Sequence, residues 1–282
     1  MNQNTSIAFT KMNGLGNDFV IIDARDTGLT LAPDAVRRLA ARDNADTKGC
    51  DQLLVLHAPR QNGDVFMQIF NADGSEVEAC GNGTRAVAAF MARLGQDKTV
   101  IETLGGALAC QSQSQSQSQT QSQGAAARAE VNMPLPQIGA ALRLHENLPD
   151  ALPVHVGNPH GVIFVEAGTA GMAAQYGFQL ERHSAFPQRA NINFACLQGD
   201  NLIRLDTWER GVGLTQACGT GACATAIAAI TLGLCTPGAV TVRPPYNQDD
   251  NDADVLVIDY QPDTHLLMSG PVQFDFDGEA AA

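Results

Sequence analysis

The chain contains an internal repeat of a cysteine-glycine motif, and this repeat constrains the fold more than any other feature. Residues 79–95 read ACGNGTRAVAAFMARLG and residues 217–233 read ACGTGACATAIAAITLG, with eight identities and no gap. In both copies a Gly-x-Gly turn and an alanine-rich run of helix formers follow the cysteine, and the run ends at Leu-Gly, a typical helix stop. We therefore expect two similar halves, each with a cysteine at the N-terminus of a helix.

The repeated cysteines suggest a specific kind of chemistry. Unpaired N–H groups and the positive end of the helix dipole gather at a helix N-terminus, where they stabilise a thiolate and attract a carboxylate. Two such termini forming one symmetric site would let one thiolate remove the α-proton of an amino acid while a thiol protonates the opposite face. The repeat therefore predicts a two-base racemase or epimerase with Cys80 and Cys218 as its catalytic pair.

The sequence favours a reaction without a cofactor or a metal. A pyridoxal cofactor needs a Schiff-base lysine, and the chain offers only Lys11, Lys48 and Lys98. Lys11 lies in a predicted strand, and Lys48 and Lys98 have no phosphate-binding loop nearby. Cys218 and Cys223 come nearest to a metal-ligand pair, but five helical steps turn their side chains about 140° apart. The cysteines outside the catalytic pair are expected to be small buried hydrophobic residues. They are Cys50, Cys110, Cys196, Cys223 and Cys235.

Composition and charge exclude several other classes of protein. Of the 282 residues, 44% are hydrophobic and 17% charged, as in a globular protein, and the net charge of −13 argues against a nucleic-acid partner. The start MNQNTS lacks the basic and apolar regions of a signal peptide, and no apolar run approaches the roughly 18 residues of a transmembrane helix. We therefore expect a cytoplasmic protein with reduced cysteines and no membrane partner.

Strand-like segments surround each predicted cysteine helix. In the first half, strands are predicted at 7–11, 18–23, 52–57, 65–70 and 99–103, with a helix from Pro33. Segments 105–110 and 128–133 are expected to pair as a hairpin around the tract QSQSQSQSQTQSQ at 111–123, a polar low-complexity loop. In the second half, strands are predicted at 154–157, 162–166, 191–197, 202–209, 239–243, 255–260, 265–268 and 272–276, with a helix near Met172.

The order of these segments predicts the domain organisation. Both halves run from strands through a helix to further strands, and Pro134-Leu135-Pro136 is typical of a linker. The first half comprises residues 1–133 and the second half residues 134–270. The closing strand at 271–282 is expected to return to the first half and complete it.

Several sequence motifs resemble those of the diaminopimelate epimerase family. They cover nearly the whole chain apart from the Gln/Ser tract, and they are KM at 11–12, GLGNDF at 14–19, DQLL at 51–54, FNADGSEV at 70–77, ACGNG at 79–83, GNPH at 157–160, NINF at 191–194 and WERGVGLTQACGTGACA at 208–224. The resemblance implies a cofactor-independent enzyme that converts LL-2,6-diaminopimelate to meso-2,6-diaminopimelate in lysine and peptidoglycan precursor synthesis. It also implies an α/β fold of the α+β type, with two pseudo-symmetric halves, each a mainly antiparallel curved sheet around a central helix.

The resemblance also implies roles for individual residues. Cys80 and Cys218 correspond to the catalytic pair, and Glu209 and His160 would bias which thiol is ionised. Backbone N–H groups and a hydroxyl at the two helix starts would hold the reacting carboxylate, from Gly81, Asn82, Gly219 and Thr220. Polar side chains would bind the remainder of the substrate, namely Asn17, Gln52, Asn71, Asn158, Asn191, Glu209 and Arg210. Members of the family form homodimers, and Phe276 falls where some of them place a tyrosine at the dimer contact.

Other interpretations of the same residues remain open. Proline and hydroxyproline racemases also use paired cysteines, although the Glu209-Arg210 pair favours a substrate with a second amino-acid end. Cys80 and Cys218 could instead form a reversible redox disulfide, or both could be core residues. His160 could simply bond a backbone carbonyl, the asparagines could be turn formers, and Glu209 with Arg210 could be an ordinary ion pair.

Overall fold

The computed structural model describes residues 6–112, 125–166, 168–245 and 253–281, which divide into two compact units. Unit 1 comprises Met1–Val131 with Pro271–Ala282, and unit 2 comprises Asn132–Gly270. The predicted Gln/Ser loop lies outside the described residues except for Gln111 and Ser112, which end a strand. Among the described residues, no helix is long and apolar enough to cross a membrane.

Unit 1 contains a sheet and two helices. Its strands are β1 (Ser6–Gly14), β2 (Asn17–Asp23), β3 (Gln52–His57), β4 (Val65–Asn71), β5 (Glu76–Val77), β6 (Lys98–Thr103), β7 (Gly106–Ser112) and β8 (Ala125–Asn132). Its helices are α1 (Pro33–Ala40) and α2 (Gly81–Arg93). Helix α1 buries the face that its sequence predicts, which consists of Ala35, Val36, Leu39 and Ala40.

Unit 2 has the same kinds of element in the same order. Its strands are β9 (Gln137–Ile138), β10 (Leu152–His155), β11 (Pro159–Phe164), β12 (Asn191–Gly199), β13 (Leu202–Glu209), β14 (Gly213–Leu214), β15 (Gly238–Arg243), β16 (Leu256–Gln261) and the start of β17 (His265–Ala281). Its helices are α3 (Met172–Glu181) and α4 (Gly219–Thr231).

Strand pairing confirms that the two units are copies of one topology. In unit 1, β2 is parallel to β3 and β4 to β6, while the pairs β1–β2, β3–β4, β6–β7 and β7–β8 are antiparallel. In unit 2, β11 is parallel to β12 and β13 to β15, while β10–β11, β12–β13, β15–β16 and β16–β17 are antiparallel. Each parallel pair is joined by a crossover that contains one of the four helices, as parallel pairing requires.

The helices that follow the repeated cysteines are the central helices of their units. Helix α2 contacts β1, β2, β6 and β7, and helix α4 contacts β10, β11, β12, β13, β15 and β16. Nearly every residue of both helices is buried, which explains why their sequences are rich in alanine on all sides. A curved, mainly antiparallel sheet around a central helix is the predicted fold of each half, and the structure confirms it.

The structure differs from the predicted elements in two respects. The predicted strands at 265–268 and 272–276 are one 17-residue strand, β17, because Pro271 keeps an extended backbone there. Residues 257–261 of β16 pair with the start of β17, and residues 6–13 of β1 pair with its end. The two-residue strands β5, β9 and β14 were not predicted, because a periodic pattern cannot be recognised in so short a segment.

Candidate active site

Cys80 lies at the start of the central helix of unit 1, as predicted. It is the N-cap of α2 and has an extended backbone, with φ −148° and ψ 108°. Its Sγ accepts a hydrogen bond from the N–H of Gly83 at 3.2 Å, and its carbonyl accepts one from the N–H of Thr84 at 2.8 Å. The sulfur therefore occupies the position of an N-capping oxygen, where the helix dipole favours negative charge.

Cys218 has the same position in unit 2. It is the N-cap of α4, with φ −123° and ψ 110°, and its side chain is buried. The N–H of Gly221 donates to its Sγ at 3.3 Å, and the Thr220 hydroxyl lies 3.6 Å from the same atom. Both repeated cysteines thus cap their helices through the residue three positions later.

Close packing explains the second glycine of each repeat. A Cβ atom at Gly83 would lie 3.4 Å from the Cys80 Sγ and 3.3 Å from Leu54. A Cβ atom at Gly221 would lie 3.2 Å from the Cys218 Sγ and only 2.7 Å from the Asn193 Oδ1. Only glycine allows the N–H to approach the sulfur without displacing these neighbours, and the constraint is tighter in unit 2.

The other predicted site residues occupy equivalent positions in the two sheets. Asn17, Gln52 and Asn71 lie at the start of β2, the start of β3 and the end of β4, and Gln52 pairs directly with Asn71. In unit 2 the same three positions, just before β11, at the start of β12 and at the end of β13, are occupied by Asn158, Asn191 and Glu209. Each unit therefore places one polar side chain from each of three neighbouring strands at the same end of those strands.

A carboxylate fixes the orientation of Asn17. The Asn17 Nδ2 donates to the Asp51 Oδ2 at 3.0 Å, so its Oδ1 is turned toward the Asn82 Nδ2, 3.5 Å away. Asp51 is itself bound by Arg42, which also forms two hydrogen bonds with Asp18. Although burial opposes it, the two hydrogen bonds from Arg42 and the one from buried Lys11 hold the pKa of Asp18 well below its usual range.

One buried acceptor near Asn17 is unsatisfied. The Gln52 Nε2 donates to the Asn71 Oδ1 at 3.2 Å, and Asn71 in turn donates to the Ser75 hydroxyl at 3.1 Å. The Gln52 Oε1 is buried and has no hydrogen-bond partner within the part of the chain that the structure describes. Because an unpaired buried acceptor costs about 1–3 kcal/mol, this oxygen is suited to a donor from a ligand.

A buried histidine occupies the corresponding region of unit 2. The His160 side chain is 1% exposed and is surrounded by the amides of Asn158, Asn191 and Asn193, at 2.8, 3.4 and 3.0 Å. Burial, together with the charges of His155 and Arg210, lowers the pKa of His160 to about 3. The ring is therefore neutral at physiological pH.

Glu209 and Arg210 have different partners. Burial raises the pKa of the Glu209 carboxyl, and hydrogen bonds from Thr215 and Cys218 oppose this effect. The Arg210 guanidinium donates to the Gln188 carbonyl at 3.0 Å, and the Arg210 N–H donates to the Asn191 Oδ1 at 2.8 Å. Glu209 is thus next to the cysteine of unit 2, whereas the exposed Arg210 holds the Asn191 amide.

Three polar residues of these clusters are absent from the sequence-based predictions. Asp51 immediately precedes Gln52, and Asn193 and Thr207 lie two residues from Asn191 and Glu209. Successive side chains of a strand point to opposite faces, so a separation of two places Asn193 and Thr207 on the same face as the predicted residues. This two-residue spacing is the sequence signal that places Asn193 and Thr207 beside the predicted site residues.

The expectation that the remaining cysteines are buried holds for four of the five. Cys50, Cys110, Cys223 and Cys235 are 0–7% exposed, and burial raises the pKa of Cys50 and Cys110 to about 12. The prediction was wrong for Cys196, which is half-exposed because it lies near the end of β12, where the strand leaves the core. Among the described residues, no group of three or more potential ligands is placed to hold a metal ion.

Comparison with known proteins identifies close relatives. The family model described as diaminopimelate epimerase matches residues 9–129 and 153–274. A diaminopimelate epimerase of Sphingopyxis alaskensis is 43% identical over 272 residues, which is 96% of each chain. A diaminopimelate epimerase of Rhodospirillum centenum is 42% identical over 276 residues, which is 96% of this chain and 91% of the relative.

Solved structures with little sequence identity have the same fold. A predicted epimerase from Pseudomonas aeruginosa superposes with a TM-score of 0.71 at 15% identity, over 98% of this chain and 99% of that one. A hydroxyproline epimerase from Agrobacterium vitis, solved with bound trans-4-hydroxy-L-proline, superposes with a TM-score of 0.67 at 13% identity, over 100% and 94% of the two chains. At these identities the likeness supports the fold alone.

Replacing the second glycine of each repeat should have unequal effects. Gly221→Ala forces a Cβ to within 2.7 Å of the Asn193 Oδ1, whereas Gly83→Ala meets the flexible end of Leu54 at 3.3 Å. We expect Gly221→Ala to lower the free energy of unfolding by about 1–3 kcal/mol, and Gly83→Ala to have a smaller effect. Urea unfolding followed by far-UV circular dichroism measures both. Equal shifts of the two midpoints would contradict the packing described for unit 2.

The buried His160 should make stability depend on pH. The pKa of His160 in the folded protein, about 3, lies below its ordinary value of about 6.5. The stability that this difference contributes is complete above pH 6.5 and is lost as the pH falls. As pH falls from 6.5 toward 3, the unfolded chain gains a proton that the folded chain does not. Midway through this range the wild type should therefore lose roughly 1 kcal/mol more stability per pH unit than His160→Gln. Urea unfolding at several pH values, followed by the fluorescence of Trp208, the single tryptophan, measures the free energy of unfolding of both proteins. If that free energy changes with pH equally in wild type and His160→Gln, the prediction is wrong.

Proposed function

Because the chain belongs to the diaminopimelate epimerase family, we propose that it interconverts LL-2,6-diaminopimelate and meso-2,6-diaminopimelate. The observation that carries this proposal is the duplicated N-cap cysteine, with one sulfur at the start of each central helix. The product is a precursor for lysine and peptidoglycan, and the reaction inverts one of the two α-carbons of the substrate. The enzyme is thus an isomerase.

Cys80 and Cys218 are the proposed acid and base. In one direction the thiolate of one cysteine takes the α-proton, the C–H bond breaks, and its electron pair moves into the adjacent carboxylate. The thiol of the other cysteine then protonates the opposite face of the same carbon. The thiol and thiolate exchange roles in the reverse direction, so the reaction needs no net proton donor and no oxidant.

The helix starts are suited to stabilising the charge that develops on the reacting carboxylate. The first N–H groups of a helix have no partner within it, and here they belong to Gly81, Asn82, Gly219 and Thr220. These donors and the helix dipoles are fixed before the reaction begins, so they stabilise the anion without reorganising. This arrangement supports a reaction that needs no pyridoxal cofactor and no metal.

The polar side chains at the two sheet edges are proposed to bind the remainder of the substrate. The unsatisfied Gln52 Oε1 can accept from an ammonium group, and Arg210 can bind a carboxylate through two hydrogen bonds. The other proposed contacts are amides, which suit a ligand that has both ammonium donors and carboxylate acceptors, and they come from Asn17, Asn71, Asn158 and Asn191.

Glu209 and His160 were predicted to bias the ionisation of the thiols. For Glu209 this stays our proposal, supported by its hydrogen bond with Cys218. A neutral His160 has no charge with which to stabilise a thiolate, and the hydrogen bonds of its ring are to amides, so its influence on Cys218 remains a prediction.

We also propose that the protein acts in the cytoplasm as a homodimer. The family resemblance supports both statements. Phe276, which falls near the expected dimer contact, is partly buried and packs edge-on against Phe9 with ring centroids 5.9 Å apart.

Isotope exchange tests the proposed reaction. The gel-filtered protein, with no added cofactor, should convert LL-diaminopimelate in deuterated water to meso product that carries one deuterium at the inverted carbon. Because the abstracted proton and the delivered deuteron reside on different thiols, unreacted substrate should stay unlabelled early in the reaction. Mass spectrometry of both species measures this. Substrate labelled as fast as product would contradict two bases, and L-proline should not be turned over.

Single cysteine substitutions test the assignment of the two bases. Cys80→Ala and Cys218→Ala should each lower the rate of epimerisation by about 10²–10⁴-fold, the usual contribution of a positioned acid or base. The matched control is Cys196→Ala, which removes a half-exposed thiol outside the proposed site and should leave the rate unchanged. Near wild-type activity in either of the first two variants would show that the assignment is wrong.

A further inference from the structure

The amides around His160 form a chain of hydrogen bonds that none of the proposed roles explains. Asn193 is completely buried on β12, directly opposite Thr207 on β13. The Thr207 Oγ1 donates to the Asn193 Oδ1 at 3.1 Å, and the Asn193 Nδ2 lies 3.0 Å from the His160 Nδ1. On the other side of the ring, the His160 Nε2 lies 2.8 Å from the Asn158 Oδ1.

The donors and acceptors in this chain of hydrogen bonds follow one direction. Since Asn193 directs its Oδ1 at Thr207, its N–H group faces the ring, and the His160 Nδ1 must accept. A neutral imidazole that accepts at Nδ1 carries its hydrogen on Nε2, which then donates to the Asn158 Oδ1. The contact of the Asn191 Nδ2 with Nε2, at 3.4 Å, is the longest of the three and is the one left without a hydrogen bond.

The position of the Asn193 oxygen supports the same orientation. It lies against the first turn of α4, 2.7 Å from where a Cβ of Gly221 would be. The partial positive charge of a helix N-terminus attracts an amide oxygen and repels an amide N–H group. The helix start that carries Cys218 therefore also favours the amide orientation that Thr207 imposes.

We propose that Asn193, held by Thr207, is a positioning residue that fixes His160 as its Nε2–H tautomer and thereby orients the amide of Asn158. With its Oδ1 occupied by His160, Asn158 presents its two N–H donors to the substrate, where they suit a carboxylate. This consequence rests on the proposed function, because it assumes that Asn158 contacts diaminopimelate. The tautomer itself does not depend on the substrate.

Asn193→Asp should reverse the direction of the hydrogen bond between residue 193 and the His160 ring. A carboxylate can only accept from the ring, so His160 should become protonated at Nδ1, and its Nε2 should no longer be fixed as the donor to Asn158. Nitrogen-15 NMR of protein with labelled histidine reports which ring nitrogens are protonated, and His160→Gln assigns the signal by its loss. In wild type we expect a protonated Nε2 and an unprotonated Nδ1, and in Asn193→Asp a protonated Nδ1.

A second pair of variants tests the hydrogen bond from Thr207 to Asn193 without adding charge. Thr207→Val removes the hydroxyl from a side chain of similar shape, whereas Thr207→Ser retains it as the matched control. We expect Thr207→Val to give a mixture of the two tautomers, and Thr207→Ser to keep the wild-type tautomer. Circular dichroism of each variant checks that unit 2 remains folded.

Kinetics with LL-diaminopimelate separate positioning from a general loss of structure. Asn193→Asp should raise KM about 10- to 100-fold, the range for losing one hydrogen bond to a charged group, with a smaller change in kcat. Thr207→Val should raise KM less, and Thr207→Ser should not.

Three results would overturn the proposal: a protonated Nδ1 in wild type, an unchanged tautomer in both Asn193→Asp and Thr207→Val, or a changed tautomer with an unchanged KM. A wild-type protein with the expected tautomer that fails to turn over LL-diaminopimelate would count against the proposed function instead.

Discussion

The hydrogen bond from a glycine N–H to the sulfur of an N-cap cysteine is the interaction on which both halves of this protein depend. It places each sulfur at the positive end of a buried helix, and the donor is a glycine whose position leaves little space for a side chain, least of all in unit 2. The alanine-rich sequence then lets the sheet close around the helix on all sides. The Ala-Cys-Gly-x-Gly repeat thus specifies, in five residues, a thiol, its electrostatic environment and the packing around it.

The duplicated scaffold supports the two cysteines with different polar chemistry. In unit 1 the asparagine at the start of β2 is held by a salt-bridged network of Asp51, Arg42 and Asp18. In unit 2 the equivalent asparagine, Asn158, is held by a neutral histidine. The third strand position is an amide in unit 1 and a carboxyl in unit 2. The two units therefore share a backbone topology while differing in the charge and hydrogen-bonding groups at these three positions.

Much of this arrangement could be predicted because it depends on local sequence. The cysteine N-caps and the buried face of α1 each follow from a motif or a periodic pattern. The hydrogen-bond partners of Asp51, Asn193 and Thr207 could not be predicted, because hydrogen bonds between strands depend on register, which a single sequence does not define. For the same reason the neutrality of His160 became evident only from its burial among three amides.

Oxidative cross-linking tests most directly the claim that Cys80 and Cys218 act on one carbon. If the two sulfurs act on opposite faces of the same carbon, as proposed, they must be able to approach closely enough for a mild thiol oxidant to join them. Peptide mapping by mass spectrometry should then find a Cys80–Cys218 disulfide, with activity lost on oxidation and restored by reductant. Full activity in the oxidised protein, or activity lost without any peptide that joins these two cysteines, would contradict the account.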